Sequence, residues 1–134
     1  MKNRLRTAGV LGFLGVALGA FGAHGLEEVL ARSGRRDIWE TAVFYHLVHV
    51  PVLLWLAVHG RLARGLNPAF WVMTAGICIF GGTLYAIGLG APSWLGAITP
   101  IGGVSLLVGW GWIVKCALAV EAGLIPGEDR SREN

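Results

Sequence analysis

No acidic or basic side chain occurs between Leu66 and Val114. The hydrocarbon core of a bilayer is about 30 Å thick and is crossed by about 20 helical residues, so this run is too long for one crossing and fits two joined by a short turn. Two earlier uncharged stretches, Thr7–Leu26 and Thr41–Val58, each have the length of one more span. The expected fold is all-α: an integral membrane four-helix bundle in one domain, with spans at approximately 7–26, 38–59, 68–89 and 100–121.

Composition agrees with that reading. The 134 residues are 54% hydrophobic and only 14% charged, with a mean hydropathy of +0.62, outside the ordinary soluble range. The net charge of +3 does not point to nucleic acid, because the basic residues sit where orientation in a membrane would place them. Lys2, Arg4 and Arg6 precede the first span, Arg61 and Arg64 lie between the second and third, and Arg130 and Arg132 lie in the tail. On the other side Arg32, Arg35 and Arg36 are offset by Glu27, Glu28 and Asp37. The positive-inside rule then puts both termini in the cytoplasm. Met1–Ala23 also has the basic head, apolar run and small residues of a cleavable signal peptide, but the run continues to Leu26 at near full span length.

Helix punctuation predicts the same elements. Asp37-Ile-Trp-Glu40 reads as a capping box opening span two. Asn67-Pro68 and Thr99-Pro100 place a capping side chain before a first-turn proline, marking spans three and four. Gly88, Gly90 and Pro92 end the third span, and Gly123 and Pro126 follow the fourth. Between spans one and two, Leu26, Val29 and Leu30 share a face and Glu28 and Arg32 stand at i, i+4, which predicts a short interfacial helix broken at Ser33-Gly34. Trp39, Trp71 and Trp94 fall at positions suited to aromatic belts.

The first span carries Gly12, Gly15, Gly19 and Gly22 at three-or-four spacing. Such a stripe of small residues lets another helix approach closely, here within the chain or between protomers of a homo-oligomer. Cys78 and Cys116, both inside predicted spans, read as small buried apolar residues too far apart in depth for a disulfide.

The residues that need a reason to be in lipid are His46 and His49. They stand three apart on one helix face, next to Tyr45, and Pro51 follows in the same turn, so a kink there frees a carbonyl. Neutral imidazoles can tie helices together by bonding Thr83, Tyr85 or that carbonyl, and this structural reading takes precedence. The alternative is a ligand site built from His24, Tyr45, His46 and His49 for a metal, haem, quinone or lipid headgroup. Zinc needs more donors than the pair supplies, and bis-histidine haem needs imidazoles on opposite faces. The expectation for cofactors is therefore none, with haem or metal as the exceptions. No nucleophile–base pair or metalloprotease signature occurs, so hydrolytic chemistry has no support.

Several segments in order carry a more specific signal: Gly22-Ala-His-Gly-Leu26, Trp39-Glu-Thr-Ala-Val-Phe-Tyr-His-Leu-Val-His49, Gly81-Gly-Thr-Leu-Tyr85, and Leu95-Gly-Ala-Ile-Thr-Pro-Ile-Gly-Gly103 followed by Gly109-Trp110. Together these resemble the YgdD and transmembrane protein 256 family, a domain of unknown function with small four-span members. The resemblance covers roughly residues 7–122 and implies that His24, Trp39, Tyr45, His46, His49, Thr99, Pro100 and Gly102 are signature positions, with Pro51 as a departure. It implies an architecture, placed in a cell inner (plasma) membrane, and no activity. The function expected is that of a multi-pass membrane protein whose partner is the lipid bilayer, acting as an accessory subunit or homo-oligomer.

Overall fold

The computed structural model of the chain describes residues 2–59 and 64–124, so the sequence features at Arg61, Pro126, Arg130 and Arg132 lie outside the described residues. Helix α1 runs Lys2–Ala20 and continues into a wider π-helical turn, Phe21–Gly25. A short helix α2, Glu27–Ser33, leads to α3, Arg36–His59. Helix α4 spans Asn67–Gly88, and a 3-10 turn at Ser93–Ala97 connects it to α5, Thr99–Glu121. Among the described residues there is no strand, and four helices are long and apolar enough to cross a membrane.

The chain packs in sequence order: α1 against α3, α3 against α4, and α4 against α5. Outward faces are apolar. Phe13, Phe44 and Leu107 are largely exposed, an arrangement stable only where hydrocarbon replaces water.

Glycine sets how closely the helices approach. A Cβ on Gly12 would stand 3.2 Å from Val50, one on Gly19 3.2 Å from Val43, and one on Gly15 2.7 Å from Leu47, while one on Gly22 would run into the indole of Trp39. The stripe of α1 is thus packed against α3 of the same chain. Between α4 and α5 the approach is closer still. Gly102 lies on the backbone of Phe80, Gly109 lies on Met73, and Gly76 lies on Leu106.

The helix starts differ from the capping expectation. Helix α3 begins at Arg36, and Glu40 pairs with Arg36 at 2.8 Å instead of closing a box with Asp37. Pro68 and Pro100 do sit in the first turns of α4 and α5, but neither helix has a side-chain cap. Asn67 and Thr99 are already helical, and both side chains are used for tertiary bonds: Asn67 Oδ1 accepts from Arg4, and Thr99 meets Thr83. Each bond bridges two helices in place of a local cap, and for the buried Thr99 it supplies the partner that an apolar surrounding would not. At the opposite end Arg35 Nη1 donates to the Ile87 carbonyl at 3.0 Å, satisfying an acceptor in the last turn of α4.

Helix α2 matches its amphipathic pattern in part. Leu30 is buried and Leu26 half-buried, but Val29 points outward. Glu28 and Arg32 form the expected pair at 3.2 Å, and Gly34 ends the helix in the left-handed region at φ 64°. Cys116 is buried as expected, whereas Cys78 lies on the exposed face of α4; both are free thiols.

The core has two apolar clusters. One gathers Ala8 and Leu11 of α1, Leu53 and Leu56 of α3, Phe70 and Met73 of α4, and Leu106 of α5. The other joins Leu30, Trp39, Ala42 and Tyr85. On α3 the first cluster begins at Val50 and the second ends at Ala42. His46 and His49 occupy the seam between them.

Candidate functional site

His46 and His49 are 5% and 6% exposed, so every polar atom they carry must find a partner inside the chain or bear the cost of lacking one. His46 Nδ1 stands 3.3 Å from the hydroxyl of Tyr85 on α4. If that hydroxyl donates, Nδ1 accepts and the proton resides on Nε2; the reverse assignment strands both the tyrosine proton and the Nε2 lone pair. The first arrangement leaves less unpaired, which favours the proton on Nε2. Nε2 is buried without a hydrogen-bond partner among the described residues, on the side facing α1, where Gly15 makes room for the ring.

His49 is engaged at both nitrogens. Nδ1 lies 2.7 Å from the Tyr45 carbonyl, which can only accept, so Nδ1 carries the proton. Nε2 then offers its lone pair to the indole N–H of Trp110 on α5, 3.3 Å away. The two imidazoles are neutral in opposite tautomers. One ties α3 to α4 and the other ties α3 to α5.

Further polar contacts extend the ties. Trp39, 2% exposed, packs edge-on against Tyr85 with ring centroids 4.9 Å apart, and its N–H donates to the Leu18 carbonyl of α1 at 3.1 Å. Trp39 is therefore a core residue and not part of an aromatic belt, while Trp71 and Trp94 are exposed as a belt requires. Thr83 donates within its own helix, to Ile79 at 2.8 Å, and meets the Thr99 hydroxyl at 2.8 Å across the α4–α5 interface. Together these contacts link all four spans, at the helix ends through Trp39 and Thr99 and near mid-span through His49 and Trp110.

The remaining sequence candidates fall elsewhere. His24 is exposed on the π-helical turn. Among the described residues no three His, Cys, Asp or Glu side chains come close enough to hold a metal ion. Tyr45 is 41% exposed, with its ring tilted on Phe80 at 4.7 Å and stacked on His49 at 6.2 Å. It lines a cleft of about 390 Å³ between α3, α4 and α5, shared with His49, Phe80, Gly103 and Trp110. A larger recess of about 560 Å³ lies along α1 and α3 beside Gly22, Trp39 and Val43. The charged groups at its mouth, Arg36 and Glu40, already pair with each other at 2.8 Å.

Trp110 and Leu18 are the participants that residue patterns do not reveal. A backbone carbonyl carries no sequence signal, and an indole in an apolar run reads as lipid-facing. For Trp39 a signal exists in Gly22 and Gly88, both of which lie against its indole.

The sequence model of a family described as "Protein of unknown function (DUF423)" matches residues 18–103. The chain is 39% identical over 121 residues to the UPF0382 membrane protein YwdK of Bacillus subtilis, covering 88% of this chain and 98% of that one. It is 43% identical over 98 residues to a UPF0382 membrane protein of Staphylococcus epidermidis, covering 72% and 80% of the two chains. With a UPF0382 membrane protein of Haemophilus influenzae it shares 39% over 115 residues, covering 82% and 90%. No solved structure matches.

Proposed function

The chain belongs to the DUF423 family, alongside UPF0382 membrane proteins, and from that premise we propose that it is a non-catalytic multi-pass protein, an accessory subunit or a homo-oligomer, whose histidines hold its spans together. The observation that carries this reading is His49, whose two nitrogens are both used by the chain itself. A ligand that took Nε2 would first displace the Trp110 N–H. Since α3 covers the glycine stripe of α1, a partner or second copy meets outward apolar faces instead. The YgdD and transmembrane protein 256 proteins are proposed as relatives within the same family on the strength of the segments quoted above.

The test is absorption and metal analysis of protein purified in mild detergent, beside the His46→Ala/His49→Ala variant. The expected result is no Soret band and no stoichiometric metal, with the variant destabilised by about 1–3 kcal/mol for each partner left unpaired. Haem or metal that disappears in the variant would contradict the reading.

A single domain with both termini in the cytoplasm is part of this proposal, supported by Lys2, Arg4 and Arg6 before α1 and by the even number of spans. A reporter that is active only in the cytoplasm, fused after Asn134, is expected to be active. Activity only of a reporter that requires export would reverse the orientation.

A second reading is favoured by one observation: a largely apolar cleft between α3, α4 and α5 is lined by Tyr45, His49 and Trp110. In that reading the His49–Trp110 contact that ties α3 to α5 also borders the site of a small molecule.

A further inference from the structure

Tyr45 stands about 14 Å along α3 from Arg36, and Trp110 about 17 Å along α5 from Thr99, at about 1.5 Å per residue. Both are near the middle of a hydrocarbon core about 30 Å thick. Among the described residues the Tyr45 hydroxyl has no hydrogen-bond partner, although its carbonyl and ring are both engaged by His49. A hydroxyl at that depth without an acceptor is costly, and lipid tails supply none.

The cleft beside it has the shape and chemistry of a ring site. Its walls include three aromatic side chains, Tyr45, Phe80 and Trp110, and no lining residue is charged. Its volume of about 390 Å³ is at the small end of ligand pockets. Gly103 keeps one wall low: a Cβ there would meet the Phe80 ring only at an ordinary 3.8 Å, so the open space comes from the missing side chain. Metal ligation does not suit the site, because the His49 Nε2 lone pair faces the Trp110 N–H. What is left to offer a ligand is one hydrogen-bond donor and flat apolar walls.

We propose that this cleft binds an uncharged, membrane-dissolved ring compound bearing a carbonyl oxygen, a quinone in chemical class, with the Tyr45 hydroxyl donating to the carbonyl and the ring held between Phe80 and Trp110. The proposal rests on the second reading above, that the cleft is a ligand site, and it concerns binding alone. Carbonyl dependence separates it from simple partitioning into lipid, since any apolar ring enters a bilayer but only a carbonyl accepts from Tyr45.

The experiment uses the full chain in phosphatidylcholine vesicles, with equilibrium binding of 2-methyl-1,4-naphthoquinone compared with 2-methylnaphthalene, which has the same ring system without carbonyls. Saturable binding of the quinone is expected, with Tyr45→Phe weakening it about tenfold, the effect of losing one hydrogen bond of about 1.4 kcal/mol. Gly103→Leu, which fills the cleft, is expected to abolish saturable binding. If Gly103→Leu unfolds the protein, Tyr45→Phe decides alone, because the lost hydroxyl has no partner among the described residues. Equal binding of the two compounds, or no effect of Tyr45→Phe, overturns the carbonyl class while leaving a ligand cleft in place. No saturable binding of either compound overturns both the class and the cleft reading.

Discussion

Replacing Trp39 by Ala is expected to destabilise the protein by about 3–5 kcal/mol, the range for removing a large buried aromatic side chain. The indole joins three helices at once. It is carried by α3, its N–H donates to Leu18 on α1, its edge meets Tyr85 on α4, and Gly22 and Gly88 are shaped around it. Without it the two glycines line a void, and the Tyr85 ring that positions His46 loses its neighbour. Trp39→Phe separates the contributions. It retains an aromatic ring and gives up the hydrogen bond, so a loss nearer 1 kcal/mol from that bond is expected, plus whatever the smaller ring leaves unfilled. Denaturant unfolding in mixed micelles, followed by circular dichroism, reads both values. A Trp39→Ala protein as stable as the parent would mean that the indole lies at a lipid interface and not in the core.

Gly102→Ala is expected to cost about 1–3 kcal/mol, although alanine is the better helix former by about 1 kcal/mol. The added methyl group meets the backbone of Phe80, which cannot rotate away, so α4 and α5 must separate. Separation also pulls apart the Thr83–Thr99 pair next to it. Gly111→Ala on the same helix is the matched control. A Cβ there meets nothing within 4 Å, and the expected outcome is unchanged or slightly raised stability. Equal effects of the two substitutions would show that helix propensity, not close approach, governs α5.

These contrasts indicate what a linear reading recovers. The spans were legible because absence of charge over a bilayer's thickness is a property of consecutive residues, and Pro68 and Pro100 were legible because a first-turn proline acts locally. The histidines were legible because polarity in an apolar run is conspicuous. Tyr85 was anticipated as a partner for the buried imidazoles, whereas Thr83, expected in the same role, bonds Thr99 instead. Capping was misread at Asn67 and Thr99, whose side chains take partners on other helices that sequence distance does not show, and at Glu40, which takes Arg36 one helical turn away. His24 resembles the other histidines in sequence yet lies exposed on the π-helical turn past the end of α1, away from His46 and His49. Trp110 could not be assigned without knowing which face of α5 meets α3.

The central claim is that His46 and His49 are neutral ties between helices, in opposite tautomers, with His49 closed to ligands at both nitrogens. Nitrogen-15 resonance of the labelled side chains in lipid nanodiscs measures this directly. The account predicts a proton on Nδ1 of His49 and on Nε2 of His46, with the His49 pattern altered by Trp110→Phe and the His46 pattern altered by Tyr85→Phe. Imidazolium signals, or a metal-shifted Nε2 at His49, would contradict it.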